Sequence, residues 1–220
     1  IVLGLGLAAL TVLPAYELTG LTRRASFSYA DAALYSLPVQ GVIGLVAPHL
    51  HGRGPGGFWA DWPRVEVGYV GVLTLLLAAV GLTRGRRAAF WVLLAGLGLL
   101  LALGPATPLH EWFYRFVPGM AQLRAPARLI LLVDMGLAAL AALGLDTLLR
   151  APRRVHAWLA AGVAVILVVW LFVAWQGLPR IGRPNAVQFA AAQEALWQAA
   201  LLLGTGVALI ALAVWGRLRG

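Results

Sequence analysis

Cysteine and lysine are both missing from this chain. Without cysteine there is no disulfide, no zinc–thiolate site and no thiol nucleophile. Without lysine, all 17 fixed cations are arginines. Charge is scarce altogether, with 11% of residues charged against 61% hydrophobic and a mean hydropathy of +0.86. A soluble domain carries roughly 25% charged residues. The scarcity excludes that class and points to a polytopic membrane protein. The net charge of +9 does not indicate nucleic acid. The arginines sit in loops beside apolar runs, where anionic lipid and membrane orientation account for them. An initiating methionine is also missing. Ile1 opens in the middle of an apolar run, with no basic n-region and no cleavage site. Residues 1–220 therefore read as a fragment of a longer protein, and 1–13 as the tail of a spanning helix.

What is present is a series of apolar segments: 1–13, 67–83, 88–104, 129–149, 157–176 and 195–215. The complete ones have about the length that a bilayer requires. The expected fold is all-α, a single polytopic transmembrane bundle of about six spanning helices, the first truncated. If all cross, three arginine clusters fall on one side: Arg84, Arg86 and Arg87; Arg150, Arg153 and Arg154; Arg217 and Arg219. By the positive-inside rule that side is cytoplasmic, giving inner loops 84–87 and 150–156 and an inner tail 216–220. The connections 14–66, 105–128 and 177–194 then face outward. They hold Arg23, Arg24, Arg53, Arg64, Arg115, Arg124, Arg128, Arg180 and Arg183. Topology does not require that outer positive charge, and a bound anion would explain it.

The outer loops carry the chemistry. In 104–129, Thr107 can cap a helix and Pro108 suits its first position. Leu109, Trp112, Phe113, Phe116 and Val117 then share one face, and His110, Glu111, Tyr114 and Arg115 the other. That pattern predicts a short interfacial helix. Pro118-Gly119 ends it, and Arg124-Ala-Pro126-Ala-Arg128 follows, with Pro126 in the first turn of the next long helix. Two arginines beside a helix amino end suit a phosphate; the alternative is that both reach to lipid headgroups.

Elsewhere, Pro14 should break the first helix near the interface. Glu17 follows as a carboxylate at the membrane edge, an acid or base candidate or simply a partner of Arg23 or Arg24. Residues 29–47 are apolar but interrupted by Asp31, Pro38, Gln40 and Gly41, which predicts interfacial or re-entrant helices rather than a crossing. His49, His51 and Asp61 have no metal-ligand spacing and show no fourth ligand. Phe58, Trp59 and Trp62 read as interface anchors. Glu66 opens the second segment. Asp134 lies inside the fourth, where an ionisable group is a functional candidate or a partner for a neighbouring helix. Asp146 can pair with Arg150 four residues on. Residues 186–199 are placed to continue into the sixth segment.

Several stretches resemble the bacterial YfhO-type family of multi-spanning membrane proteins: Leu13-Pro-Ala-Tyr-Glu-Leu, Tyr69-Val-Gly-Val-Leu-Thr-Leu-Leu-Leu, Leu103-Gly-Pro-Ala-Thr-Pro-Leu, Val117-Pro-Gly-Met, Leu123-Arg-Ala-Pro-Ala-Arg128 and Ala142-Leu-Gly-Leu-Asp146. Their order and spacing cover about residues 1–150. That family is similar to the GT-C glycosyltransferases, which move a sugar from a polyprenyl-phosphate carrier to an acceptor on the outer face. The resemblance implies a role at the bacterial cytoplasmic membrane, with an envelope glycolipid or polymer as acceptor. Donor phosphate would meet Arg124 and Arg128, with Arg23 or Arg24 beside them; Tyr16, Glu66, Tyr114 and Asp134 are further candidates. It also implies that the main catalytic carboxylate precedes Ile1, that Glu17 does not replace it, and that these residues alone are inactive. No tightly bound cofactor is expected; a divalent metal requirement is left open. The competing readings are a lipid or polymer transporter or flippase subunit, centred on Asp134, and a noncatalytic membrane scaffold, in which Lys could replace Arg124 and Arg128 without cost.

Overall fold

The computed structural model describes residues 2–22, 26–52, 58–60, 68–151, 153–177 and 184–219. Among these the chain is helical, with no strand. Eight α-helices follow in order: α1 (Val2–Gly20), α2 (Tyr29–Ala32), α3 (Val72–Gly81), α4 (Arg86–Ala102), α5 (Pro108–Phe116), α6 (Ile130–Arg150), α7 (Arg154–Gly177) and α8 (Ala186–Arg219). Short 3-10 helices join them, including Val39–Leu45, Leu82–Arg84 and Pro126–Leu129.

Three stretches are long and apolar enough to cross a membrane: Pro126–Arg150, Arg154–Gly177 and Ala186–Gly216. The apolar stretch Val72–Arg84 is shorter. Helix α4 has 17 residues, about 26 Å, against a hydrocarbon core of about 30 Å.

Helix α6 packs against both α3 and α4. On one side α3 runs parallel to it, and on another α4 runs antiparallel. Glycine sets both approaches. A Cβ on Gly144 would sit 1.9 Å from the Leu77 carbonyl oxygen, and one on Gly81 would sit 2.1 Å from that of Leu140. A Cβ on Gly136 would meet the Trp91 carbonyl at 2.8 Å. The backbones thus touch directly, which is how helices gain packing where lipid leaves little hydrophobic drive. Helices α7 and α8 form an antiparallel pair packed on α3. Leu76 and Val80 of α3 are fully buried there with Ala160, Leu171, Leu203 and Val214.

One end of this bundle holds the turn after α3 and the last turn of α6. There Arg84 pairs with Asp146, which also pairs with Arg150. The i,i+4 pair follows from the sequence pattern, but Arg84 joins from another helix. It also donates to Thr147 Oγ1 at 2.7 Å. The opposite end is covered by residues 26–51, α5 and the elbow before α6. Residues 29–47 do not cross the bundle. They form α2 and the Val39–Leu45 turn, and Leu37 buries itself against Ala102, Ala127 and Ile130.

Three local expectations need correction. Pro14 does not end the first helix, because α1 continues through it to Gly20. A proline disturbs only the carbonyl four residues before it and its own missing N–H. Downstream donors are unaffected, and Thr19 Oγ1 donates to the Ala15 carbonyl at 2.6 Å. Thr107 stands at the N-cap position of α5 without capping it. Its hydroxyl donates instead to the Leu100 carbonyl at 2.7 Å, tying α5 back to α4. Trp59 is no free anchor: its ring lies 5.2 Å from that of His51 and packs against the bundle core. The long α8 does begin ahead of its apolar segment. Asn185 starts it with a reciprocal cap, Oδ1 accepting from Gln188 N–H and Gln188 Oε1 accepting from Asn185 N–H, both at 2.9 Å.

A candidate anion pocket at the amino end of helix α6

The pocket is built by an elbow. Gly119 adopts φ +84°, so the chain turns sharply after α5. It then reaches Ala125, which has φ 63° and ψ 67°. A left-handed conformation at a non-glycine residue costs roughly 1–2 kcal/mol. The elbow is held by hydrogen bonds to Leu34 and to a second strained residue, Tyr35, at φ 61°. The Ala125 N–H donates to the Leu34 carbonyl at 3.1 Å, and the Ala127 N–H to that of Tyr35 at 3.3 Å. These are the two non-glycine positive-φ residues among the described residues. Both line the same pocket, and stored backbone strain of this kind gathers at functional sites.

This pocket has a volume of about 410 Å³. Its wall includes Tyr35, His110, Leu123, Arg124, Pro126 and Arg128. Pro126 starts the first turn of the α6 span, as its fixed φ favours. Arg124 therefore stands just before the helix and Arg128 within its first turn, on one wall. Neither has an acidic partner among the described residues. The Arg124 guanidinium carbon lies 5.1 Å from the centre of the Tyr35 ring, which holds the group by a cation–π contact.

His110 closes the pocket from α5. It is 4% exposed, and its Nδ1 is buried with no hydrogen-bond partner among the described residues. Burial lowers its pKa below the usual histidine range. Its ring lies 5.7 Å from that of Tyr29, which in turn meets the edge of Tyr114 at 5.3 Å. The Tyr114 hydroxyl donates to the Phe27 carbonyl at 2.8 Å. His110 and Tyr114 of the polar face thus turn inward, while Glu111 and Arg115 of that face stay more exposed and pair with each other. Trp112 and Phe116 point away, 54% and 66% exposed. A soluble helix would turn those rings inward; this one suits an apolar medium around it.

The remaining candidates are not brought to this pocket. Tyr16 and Glu17 are exposed on α1 and do not line it. Tyr114 acts behind it, supporting Tyr29. Asp134 lies deeper along α6, against Gly68, where a Cβ would sit 2.2 Å from its Oδ1. That oxygen is buried with no hydrogen-bond partner among the described residues. Arg23, Arg24 and Glu66 lie outside the described residues, as do Arg53, Asp61, Trp62, Arg64, Arg180 and Arg183. Among the described residues no group of three or more His, Cys, Asp or Glu could hold a metal ion. His110 and Tyr35 were missed as wall residues, although His110 and Tyr114 share the polar face that the α5 pattern marks out. The chain matches no protein-family model, no curated protein and no solved structure.

Proposed function

We propose that this chain is part of an integral membrane glycosyltransferase. It moves a sugar from a polyprenyl-phosphate carrier to a cell-envelope acceptor, and these residues supply the carrier's phosphate site. The observation that carries the reading is the wall on which Arg124 and Arg128 stand together without acidic partners among the described residues. Guanidinium groups bind phosphate oxygens in pairs, with fixed charge at any physiological pH. Helix α5, with its aromatic side outward, borders the pocket at the depth where a carrier headgroup would lie.

In this reading α1, α3 and α4 join the three long helices in a six-pass arrangement. The pocket end faces outward across a bacterial cytoplasmic membrane, and Arg84 and Arg150 face the cytoplasm. The Arg84–Asp146 pair supports that orientation, because it brings two of the basic loops to one end of the bundle. The test is transfer of labelled sugar from a polyprenyl-phosphate donor by the whole protein in membranes. Arg124→Ala and Arg128→Ala at equal expression should each reduce transfer by about tenfold or more. Full transfer in both variants would remove the phosphate site, and full activity with Lys at both positions would favour headgroup contacts only.

A lipid transporter is the second reading, favoured by Asp134. A carboxylate inside a membrane helix with an unpartnered oxygen is the kind of group on which transport depends. Asp134→Asn should abolish lipid movement in that case and leave sugar transfer intact in the first.

A further inference from the structure

The pocket wall contains two kinds of donor. Arg124 and Arg128 are exposed and permanently charged. His110 is buried, and its Nδ1 lacks a partner among the described residues. Leaving a buried polar atom without a hydrogen bond is costly. A ligand that gave the ring a hydrogen bond and a counter-charge would recover part of that cost. The groups around His110 leave it free to respond. Tyr29 and Tyr114 pack beside it, and Tyr35 shares its pocket. Glu111 and Arg115 of its own helix pair with each other, so their charges largely offset. Burial keeps the ring neutral while the pocket is empty.

We infer that His110 makes this pocket selective for a phosphate monoester dianion over a phosphodiester monoanion, by taking up a proton and donating a hydrogen bond when the more highly charged ligand binds. The inference rests on the anion-site reading above. A diester brings one negative charge, which the two arginines already exceed. A monoester brings a second, which lies close to the ring in a site partly shielded from water, where such attraction is strong. The same distinction separates the two ends of the proposed reaction. When the sugar's anomeric C–O bond to the carrier breaks, its electron pair stays on the phosphate oxygen. The acceptor's hydroxyl oxygen forms the new bond to that carbon, and its proton passes to a carboxylate base. The carrier phosphate thereby changes from monoanionic diester to dianionic monoester. His110 would stabilise the carrier as it leaves, and the pocket would hold the spent carrier more tightly than the loaded one.

Equilibrium binding to the whole protein in detergent tests this without turnover. The probes are farnesyl phosphate, a monoester, and farnesyl methyl phosphate, a diester, measured between pH 6 and 9. The monoester should bind at least about tenfold more tightly at pH 7, the equivalent of one pKa unit of proton coupling. Its affinity should fall as pH rises through the bound-state histidine pKa, by at most roughly tenfold per pH unit. Diester affinity should stay level. His110→Gln and His110→Asn, each checked for an unchanged melting temperature, should remove the slope and lower the preference by about tenfold, to what the two arginines give alone, while retaining diester binding. If both variants fold and keep the preference and slope, the role of His110 is overturned and the arginine site stands. If Arg124→Ala and Arg128→Ala leave both probes bound as before, the anion site itself is wrong.

Discussion

Arg84, in the turn after α3, donates to the carboxylate of Asp146 on α6, 62 positions further along the chain. Asp146 accepts from Arg150 as well, so one carboxylate holds two guanidinium groups from two helices. The cluster fastens the end of the bundle remote from the candidate pocket. Both side chains of the Arg84–Asp146 pair are partly exposed, so solvent weakens it. Asp146→Asn should cost about 1 kcal/mol. Reversible unfolding in mixed detergent micelles would measure it. A double-mutant cycle with Arg84→Ala should show coupling; strict additivity would mean that the contact contributes nothing.

The glycine contacts make a larger prediction. Gly144→Ala would drive a methyl group into the Leu77 carbonyl, which is backbone and cannot rotate away. Separating α3 from α6 should cost about 1–3 kcal/mol. Gly96→Ala on α4 has open space around it and serves as the control. It should raise stability by up to about 1 kcal/mol, because alanine favours helix. Equal effects from the two substitutions would contradict the packing described for α6.

Relief of strain is measurable at the elbow. Ala125→Gly removes the cost of a left-handed alanine and should stabilise the protein by about 1 kcal/mol. Ala127→Gly, two residues on in the first helical turn, should destabilise it by a similar amount. A loss of stability at Ala125→Gly would show that the elbow is not strained.

Acid should loosen the loop around His51. Burial lowers the pKa of this histidine from its usual 6.5 to about 4. Above pH 6.5 it is neutral both folded and unfolded, so it adds no pH dependence there. Between pH 6.5 and 4 the unfolded chain binds a proton that the folded chain refuses, so stability falls as pH falls. Below about pH 4 the loss levels off. Thermal melts from pH 7.5 to 4 should show this slope, and His51→Gln should flatten it. An unchanged slope in the variant would assign the acid sensitivity to other groups.

What the sequence shows and what it hides divide by distance along the chain. Helix α5, the start of the α6 span at Pro126, the run of α8 from residue 186 and the Asp146–Arg150 pair all follow from neighbours within about one turn of helix. Periodicity and capping chemistry capture such relations. The arginine pair was legible for the same reason, as both residues flank one proline. Tyr35 under Arg124, Arg84 on Asp146 and Thr107 on Leu100 depend on how separate segments dock, which no local pattern encodes. Thr107 is instructive, because its sequence position invites a cap while a carbonyl from the preceding helix takes its hydroxyl. The shortness of α3 was hidden differently. Hydropathy marks an apolar segment but does not say where its helix begins, and α3 starts only at Val72.

Helix α5 works as a float. Trp112 and Phe116 rest on its outer side, and His110 and Tyr114 project from the same two turns into the protein. Nothing along nine residues of helix lets one side rise without the other. Whatever draws the aromatic rings inward or outward must therefore tip His110 with them, so the wall of the pocket moves with the rings outside it.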